Sequence, residues 1–172
     1  MQRFTPLLID AARPCRRAAG DRWVVDETYV KVAGVWRYVY RAIDEDGDVI
    51  DVYVSRTRCA AAASSFFAKA PRDHGDIVTD KSPTLASVIR DLMPNAEHCT
   101  DQYANNRIEA DHGRLKARLR PMRGLKRDRT ASVVIRGHAF VQNVSRGHYQ
   151  LGDAIDPRCR LEAAFGELLS VI

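Results

Sequence analysis

The stretch Arg22-Trp23-Val24-Val25-Asp26-Glu27-Thr28-Tyr29-Val30-Lys31-Val32 decides the fold. Val24, Val25, Tyr29, Val30 and Val32 are β-branched or aromatic, the types that suit a pleated sheet, so the stretch predicts a strand. Asp is depleted in strands, yet Asp26 stands at the centre of this one. A lone acid there has an ordinary explanation: a place near the strand's end or on its solvated face. Two later acids supply another. Asp80 follows the short apolar run Ile77-Val78-Thr79, and Glu109 lies inside the helical stretch from Asn105 to Lys116. Three converging carboxylates would form a site for a hard divalent cation.

Working outward, Met1 to Gly20 reads as a short helix or linker, with Leu7-Leu8-Ile9 able to dock. After the strand, Ala33-Gly34-Val35 signals a turn, Trp36 to Ile43 a second strand, Asp44-Glu45-Asp46-Gly47 another turn, and Asp48 to Val54 a third strand. These form an antiparallel three-stranded meander. Arg58 to Ala70 predicts a helix ending before Pro71. A short buried strand follows at Ile77-Val78-Thr79, then a helix from Leu85 through Met93, with Ser82 as its cap and Pro83 in its first turn. Glu97 to Thr100 is a last short strand, and Asn105-Asn106 opens the Glu109 helix. The expected fold is α/β: a mixed five-stranded sheet, its three antiparallel strands first, flanked by helices in the ribonuclease-H-like order. Beyond it, Arg118 to Arg129 is a basic loop, Thr130 caps a helix through Gly147, and Leu161 to Leu169 is a final helix. The expected organisation is a linker or remnant at 1–20, the main domain at 21–150 and a tail helix at 151–172.

The whole chain sets further bounds. Its 172 residues suit one main domain, and no run of 18 apolar residues occurs. The start lacks the features of a signal peptide, which predicts a cytoplasmic protein. Cys15, Cys59, Cys99 and Cys159 form no CxxC pair, arguing against structural zinc. The net charge of +5 is unevenly spread. Asn105 to Arg129 carries nine Lys or Arg against three acids, a local +6, while the remainder nets −1. That pattern points to a polyanion beside Glu109, the alternative being a solvated charged face.

Each candidate also has a structural role open to it. Asn106 with Glu109 three residues on fits a capping box, and Asp80 fits a turn after a strand. His112 and Lys116 fall three and seven residues after Glu109, on the same helical face, where a cation would hold phosphate. His112 is alternatively a partner for Asp111, or simply exposed.

Val25 to Val32, Tyr38-Val39-Tyr40-Arg41-Ala42-Ile43-Asp44, Thr79-Asp80-Lys81-Ser82-Pro83, and Tyr103 to His112 with Arg114, Lys116 and Arg120-Pro121-Met122 carry a resemblance to a known family. They resemble the Asp-Asp-Glu catalytic domain of transposases from bacterial insertion sequences of group six, over about Gln2 to Leu151. The resemblance implies a catalytic triad of Asp26, Asp80 and Glu109 holding magnesium or manganese as two ions, with Lys116 the accompanying basic residue. It implies DNA as partner, both element ends and target, and the local charge excess and the shared helical face make His112, Arg114, Lys116, Arg118, Arg120, Arg123, Lys126, Arg127 and Arg129 the side chains expected to contact it. It further implies a homodimer or higher oligomer, acting in the bacterial cytoplasm at the nucleoid. Two departures stand out. Only 25 residues precede Asp26, so the helix-turn-helix that such enzymes use to recognise element ends is expected to be missing or truncated. The 29-residue separation of Asp80 from Glu109 is short for the family and suggests a deletion near Pro94 or Tyr103. Two other readings stay open: a catalytically silent fragment that binds DNA or interferes with transposition, and a ribonuclease or repair nuclease on the same fold.

Overall fold

The structure, a computed structural model, describes residues 4–68, 75–100, 106–153 and 156–172. Strand β1 spans Arg22–Val32, β2 Val35–Asp44, β3 Val49–Ser55, β4 Asp76–Thr79 and β5 Glu97–Cys99. They form one sheet in the order β3-β2-β1-β4-β5. β1, β2 and β3 are antiparallel neighbours, while β4 pairs parallel to both β1 and β5. The strand containing Asp26 is therefore central. Helices α1 (Phe4–Ala12), α2 (Ala60–Phe67), α3 (Pro83–Leu92), α4 (Asn106–Leu119), α5 (Asp128–Arg146) and α6 (Arg160–Leu169) complete the fold. This is the ribonuclease-H-like arrangement.

Alternation along β1 sends successive side chains to opposite faces. Trp23 and Val25, with Tyr40 and Ala42 of β2, meet Phe66 and Phe67 of α2 and Leu85 and Ile89 of α3. Val24 and Val30, with Val39 and Ile43, meet Ile108 and Leu115 of α4 and Ile135 of α5. Asp26 shares parity with Val24, so it faces α4. A third apolar cluster joins α1 and α6 to α5 through Ala12, Phe140, Tyr149 and Leu168.

The β1–β2 hairpin turns on two residues, Ala33 at φ 51° and Gly34 at φ 80°. Positive φ at both positions suits the right-handed twist of the flanking strands, at a steric cost for Ala33 that glycine avoids. The Ala33 N–H donates to the Leu125 carbonyl at 2.6 Å, tying the hairpin tip to the basic segment.

Several local expectations need correction. Ser82 occupies the N-cap position of α3 without a side-chain capping bond; Asp80 Oδ1 instead accepts from the Ser82 N–H at 2.9 Å. Helix α5 begins at Asp128, two residues before Thr130, with Arg127 at the cap position. The basic segment is only partly loop, since α4 runs through Leu119 and Arg120–Met122 forms a 3₁₀ turn. Asn106 is the first residue of α4 rather than its cap, and Tyr103 to Asn105 and Pro71 lie outside the described residues.

Candidate active site at the parting of two parallel strands

The last parallel pair between β1 and β4 is Val25 with Thr79. Asp26 and Asp80 are the next residues on the two strands, so they sit side by side where the strands part. A strand end in such a sheet is a natural place for a site: backbone pairing holds the chain up to that point, and beyond it space opens. Asp80 is half-buried, and its Oδ1 is engaged by the Ser82 N–H. Glu109 enters from α4, one turn into the helix and exposed.

Electrostatics shows that these acids share one environment. The Asp26 carboxyl is pushed up to about 7, chiefly by burial and also by the like charges of Glu27, Asp80 and Glu109, against the lowering effect of the Glu27 N–H bond. That N–H reaches Asp26 Oδ1 at 2.8 Å. Glu27 is a fourth acid, on the opposite face of β1; burial raises its carboxyl while Arg58, its ion-pair partner, opposes the rise.

As they lie, no three His, Cys, Asp or Glu side chains among the described residues are grouped to hold a metal ion. The donor set nevertheless fits magnesium or manganese. All three acids offer hard oxygen, and a half-buried Asp26 beside like charges is the arrangement that a divalent cation would relieve.

On α4 the buried face is Ile108, Asp111, His112 and Leu115. His112 is therefore taken out of the DNA interface expected for it: it is only 6% exposed, and its Nδ1 stands 3.7 Å from Asp26 Oδ2. Burial and the nearby Arg41 push its imidazole down to about 4, so the contact is with a neutral ring and is no ion pair at neutral pH. Asp111 does not pair with His112 either. It meets Arg41 Nη2 at 2.5 Å, with both side chains buried, and Arg146 Nη2 at 3.7 Å. Arg41 is the cross-strand neighbour of Asp26, and it also donates to Gln142 Oε1 at 3.3 Å. A buried polar network therefore lies behind the site, between β2, α4 and α5. Its only trace in the sequence is one Arg within the apolar run Tyr40-Arg41-Ala42-Ile43.

Lys116, one further turn along from His112, is exposed, with Nζ 4.8 Å from the Tyr29 ring centroid. Arg114 falls on the opposite flank of α4, 4.0 Å from Asp111. Arg118, Arg120, Arg123, Lys126, Arg127 and Arg129 are exposed and, among the described residues, make no ion pair. Asp128, the one acid of that stretch, is held by Arg37 at 2.7 Å and Arg56 at 2.9 Å, which keep its carboxyl below the usual range.

Residues 20–148 match the family model for the DDE domain of IS240-type transposases. The chain belongs to this DDE transposase family. It is 35% identical over 127 residues to the transposase for insertion sequence-like element IS431mec of Staphylococcus aureus, covering 69% of this chain and 56% of that protein. It is equally similar to the S. aureus transposase for insertion sequence element IS257 in transposon Tn4003. The chain thus spans just over half the length of these curated relatives. Among solved structures, the catalytic core domain of BIV integrase aligns with TM-score 0.53 at 15% identity, over 88% of this chain and 97% of that one. The HTLV-2 integrase catalytic core in complex with magnesium aligns with TM-score 0.53 at 16% identity, over 87% and 99%. At such identities the likeness concerns the fold. No helix of the DDE domain, among the described residues, is long and apolar enough to cross a membrane.

Proposed function

We propose that this chain is the catalytic domain of a DNA transposase, cleaving DNA strands and joining their 3′ ends to target DNA by in-line phosphoryl transfer. The observation that carries the reading is the cluster at the β1–β4 parting, where Asp26 is half-buried and its carboxyl is raised chiefly by that burial and also by its acidic neighbours. Asp26, Asp80 and Glu109 would hold magnesium or manganese, most simply as two ions. Such ions, when bound, stabilise the attacking and leaving oxygens of the displacement. Asp26 and Asp80 hold their carboxylates on paired strands, Glu109 closes the set from α4, and Lys116 positions phosphate beside it. His112 backs Asp26 as a neutral packing neighbour. The catalytic unit is assigned to residues 21–150, with 1–20 and 151–172 flanking it. The chain acts on element ends and target DNA as a homodimer or higher oligomer, in the cytoplasm at the nucleoid.

Supercoiled plasmid with manganese tests the chemistry. Metal-dependent nicks that vanish in Glu109→Gln support the enzyme. No nicking at any protein concentration assigns the chain to the alternative, a silent fragment that binds DNA or interferes with transposition. Salt dependence tests the basic segment. Each neutralised phosphate steepens the fall of log affinity with log salt by about 0.9, so changing Arg118, Arg120, Arg123 and Arg127 together to Ala should flatten the slope by up to about 3.6. An unchanged slope would route DNA elsewhere.

A further inference from the structure

Beyond Val25, β1 loses its β4 partner and continues paired to β2 alone. On this outer half of the hairpin, Tyr29 is 53% exposed and Trp36 48% exposed. The rings stand edge to face, centroids 4.9 Å apart at 89°. An ammonium sits over each: Lys116 Nζ at 4.8 Å from Tyr29 and Lys31 Nζ at 4.7 Å from Trp36. The surface therefore reads cation, ring, ring, cation. By the alternation along β1, Tyr29 and Lys31 lie on the Glu27 face, opposite to Asp26, and the link to the candidate active site is Lys116, which reaches Tyr29 from α4, the helix that carries Glu109.

We propose that Tyr29 and Trp36 form a stacking platform for unpaired nucleobases of the DNA strand that passes the candidate active site, with Lys31 and Lys116 taking the adjoining phosphates. The inference rests on the proposed function, because it assumes a DNA substrate. Charge complementarity selects this occupant. An apolar protein surface docking on the rings would strip water from two ammonium groups and offer them no counter-charge. A nucleotide strand supplies a flat π-face for each ring and a phosphate for each ammonium. The bases must be unpaired, because within a duplex both faces of a base are already covered by its neighbours. The platform is also held in place, since the Ala33 N–H bond to Leu125 and the Val32–Leu125 bridge fix the hairpin tip against the basic segment.

The test compares a blunt duplex with a duplex of equal length carrying unpaired oligothymidine arms, using fluorescence anisotropy. The forked duplex should bind about fivefold to a hundredfold more tightly per stacked base. Intrinsic fluorescence gives a second readout. The chain has two Trp, of which Trp23 is 2% exposed and Trp36 is open, so quenching by the forked duplex reports on Trp36. Trp36→Ala and Tyr29→Ala should erase the forked preference while leaving blunt-duplex affinity and the melting temperature unchanged, and Trp36→Phe should keep most of it. Equal binding of the two duplexes by the wild type, with no quench, overturns the platform and leaves the proposed function standing. Failure to bind either duplex overturns both. A change of oligomeric state in Trp36→Ala by sedimentation would assign the rings to a contact between copies of this chain and overturn the platform.

Discussion

The two faces of the sheet are built differently. The face covered by α2 and α3 is mainly apolar, with Trp23, Val25, Tyr40, Phe66, Phe67, Ile77, Leu85 and Ile89 in one cluster and the Glu27–Arg58 pair at its margin. The face covered by α4 and α5 has a comparable set of Val, Ile and Leu, but buries Arg41, Asp111, His112 and Asn143 among them. Apolar burial is non-directional, so it stabilises the packing of a helix without specifying its rotation or its position along its axis. An ion pair and bidentate side-chain bonds are directional. Asn143 Oδ1 accepts from the Val49 N–H at 2.9 Å and its Nδ2 donates to the Val49 carbonyl at 3.0 Å, fixing α5 against β3. Arg41 and Asp111 hold α4 to β2 as a close, fully buried ion pair, and α4 carries Glu109. The face that holds the candidate site is the one where position matters.

The sharpest way to break this contrast is to remove one partner of the buried pair. Asp111→Ala leaves the fully buried Arg41 without its counter-charge and should cost about 3–5 kcal/mol in urea unfolding. Phe66→Ala on the other face should cost a similar 3–5 kcal/mol. Repair separates them. The double change Arg41→Met with Asp111→Leu should recover most of the loss, because an apolar pair fills the space without a stranded charge. If it recovers none, the network carries stability of its own and the contrast fails.

A second effect should follow pH. The folded Asp26 carboxyl stands near 7, above its ordinary 3.8, so between those values the folded chain holds a proton that the unfolded chain has released. Stability from this group is therefore present at low pH and lost as pH rises through about 7. Asp26→Asn should stabilise the metal-free protein by about 2–4 kcal/mol at pH 8, and by little at pH 4. His112 runs the other way: folded near 4 against 6.5 ordinarily, it contributes stability above 6.5 that is lost as pH falls. Subtracting wild-type from Asp26→Asn melting curves across pH isolates the acid. Magnesium should raise the wild-type melting temperature at pH 8 and leave that of Asp26→Asn unmoved; equal shifts would remove Asp26 from the metal site.

The smallest effect concerns Asn143. Asn143→Ala leaves the Val49 N–H without its acceptor, while the Val49 carbonyl keeps its bond from Arg16 Nη2 at 2.9 Å, and should cost about 1–3 kcal/mol. A near-neutral result would mean that water replaces the amide there, weakening the case that this face relies on directional contacts.

The sequence by itself determined the strand Arg22–Val32 with its central acid, the order of strands and helices, and the elements that carry Asp80 and Glu109. These are local matters: β-branched runs, turn residues and helical periods act over a few neighbouring positions, so they can be read without knowing what packs where. Tertiary structure alone decided the rest. Helical periodicity placed Glu109, His112 and Lys116 together, but that face straddles the edge of the core, so His112 is buried while its neighbours stay in water. Asp111 found its partner 70 residues away on β2, a match that no spacing along the chain announces. The Tyr29–Trp36 pair likewise depends on cross-strand register and on Lys116 reaching over from α4. Charge partners and burial are set by where α4 comes to rest on the sheet, and that follows from the summed packing of both faces.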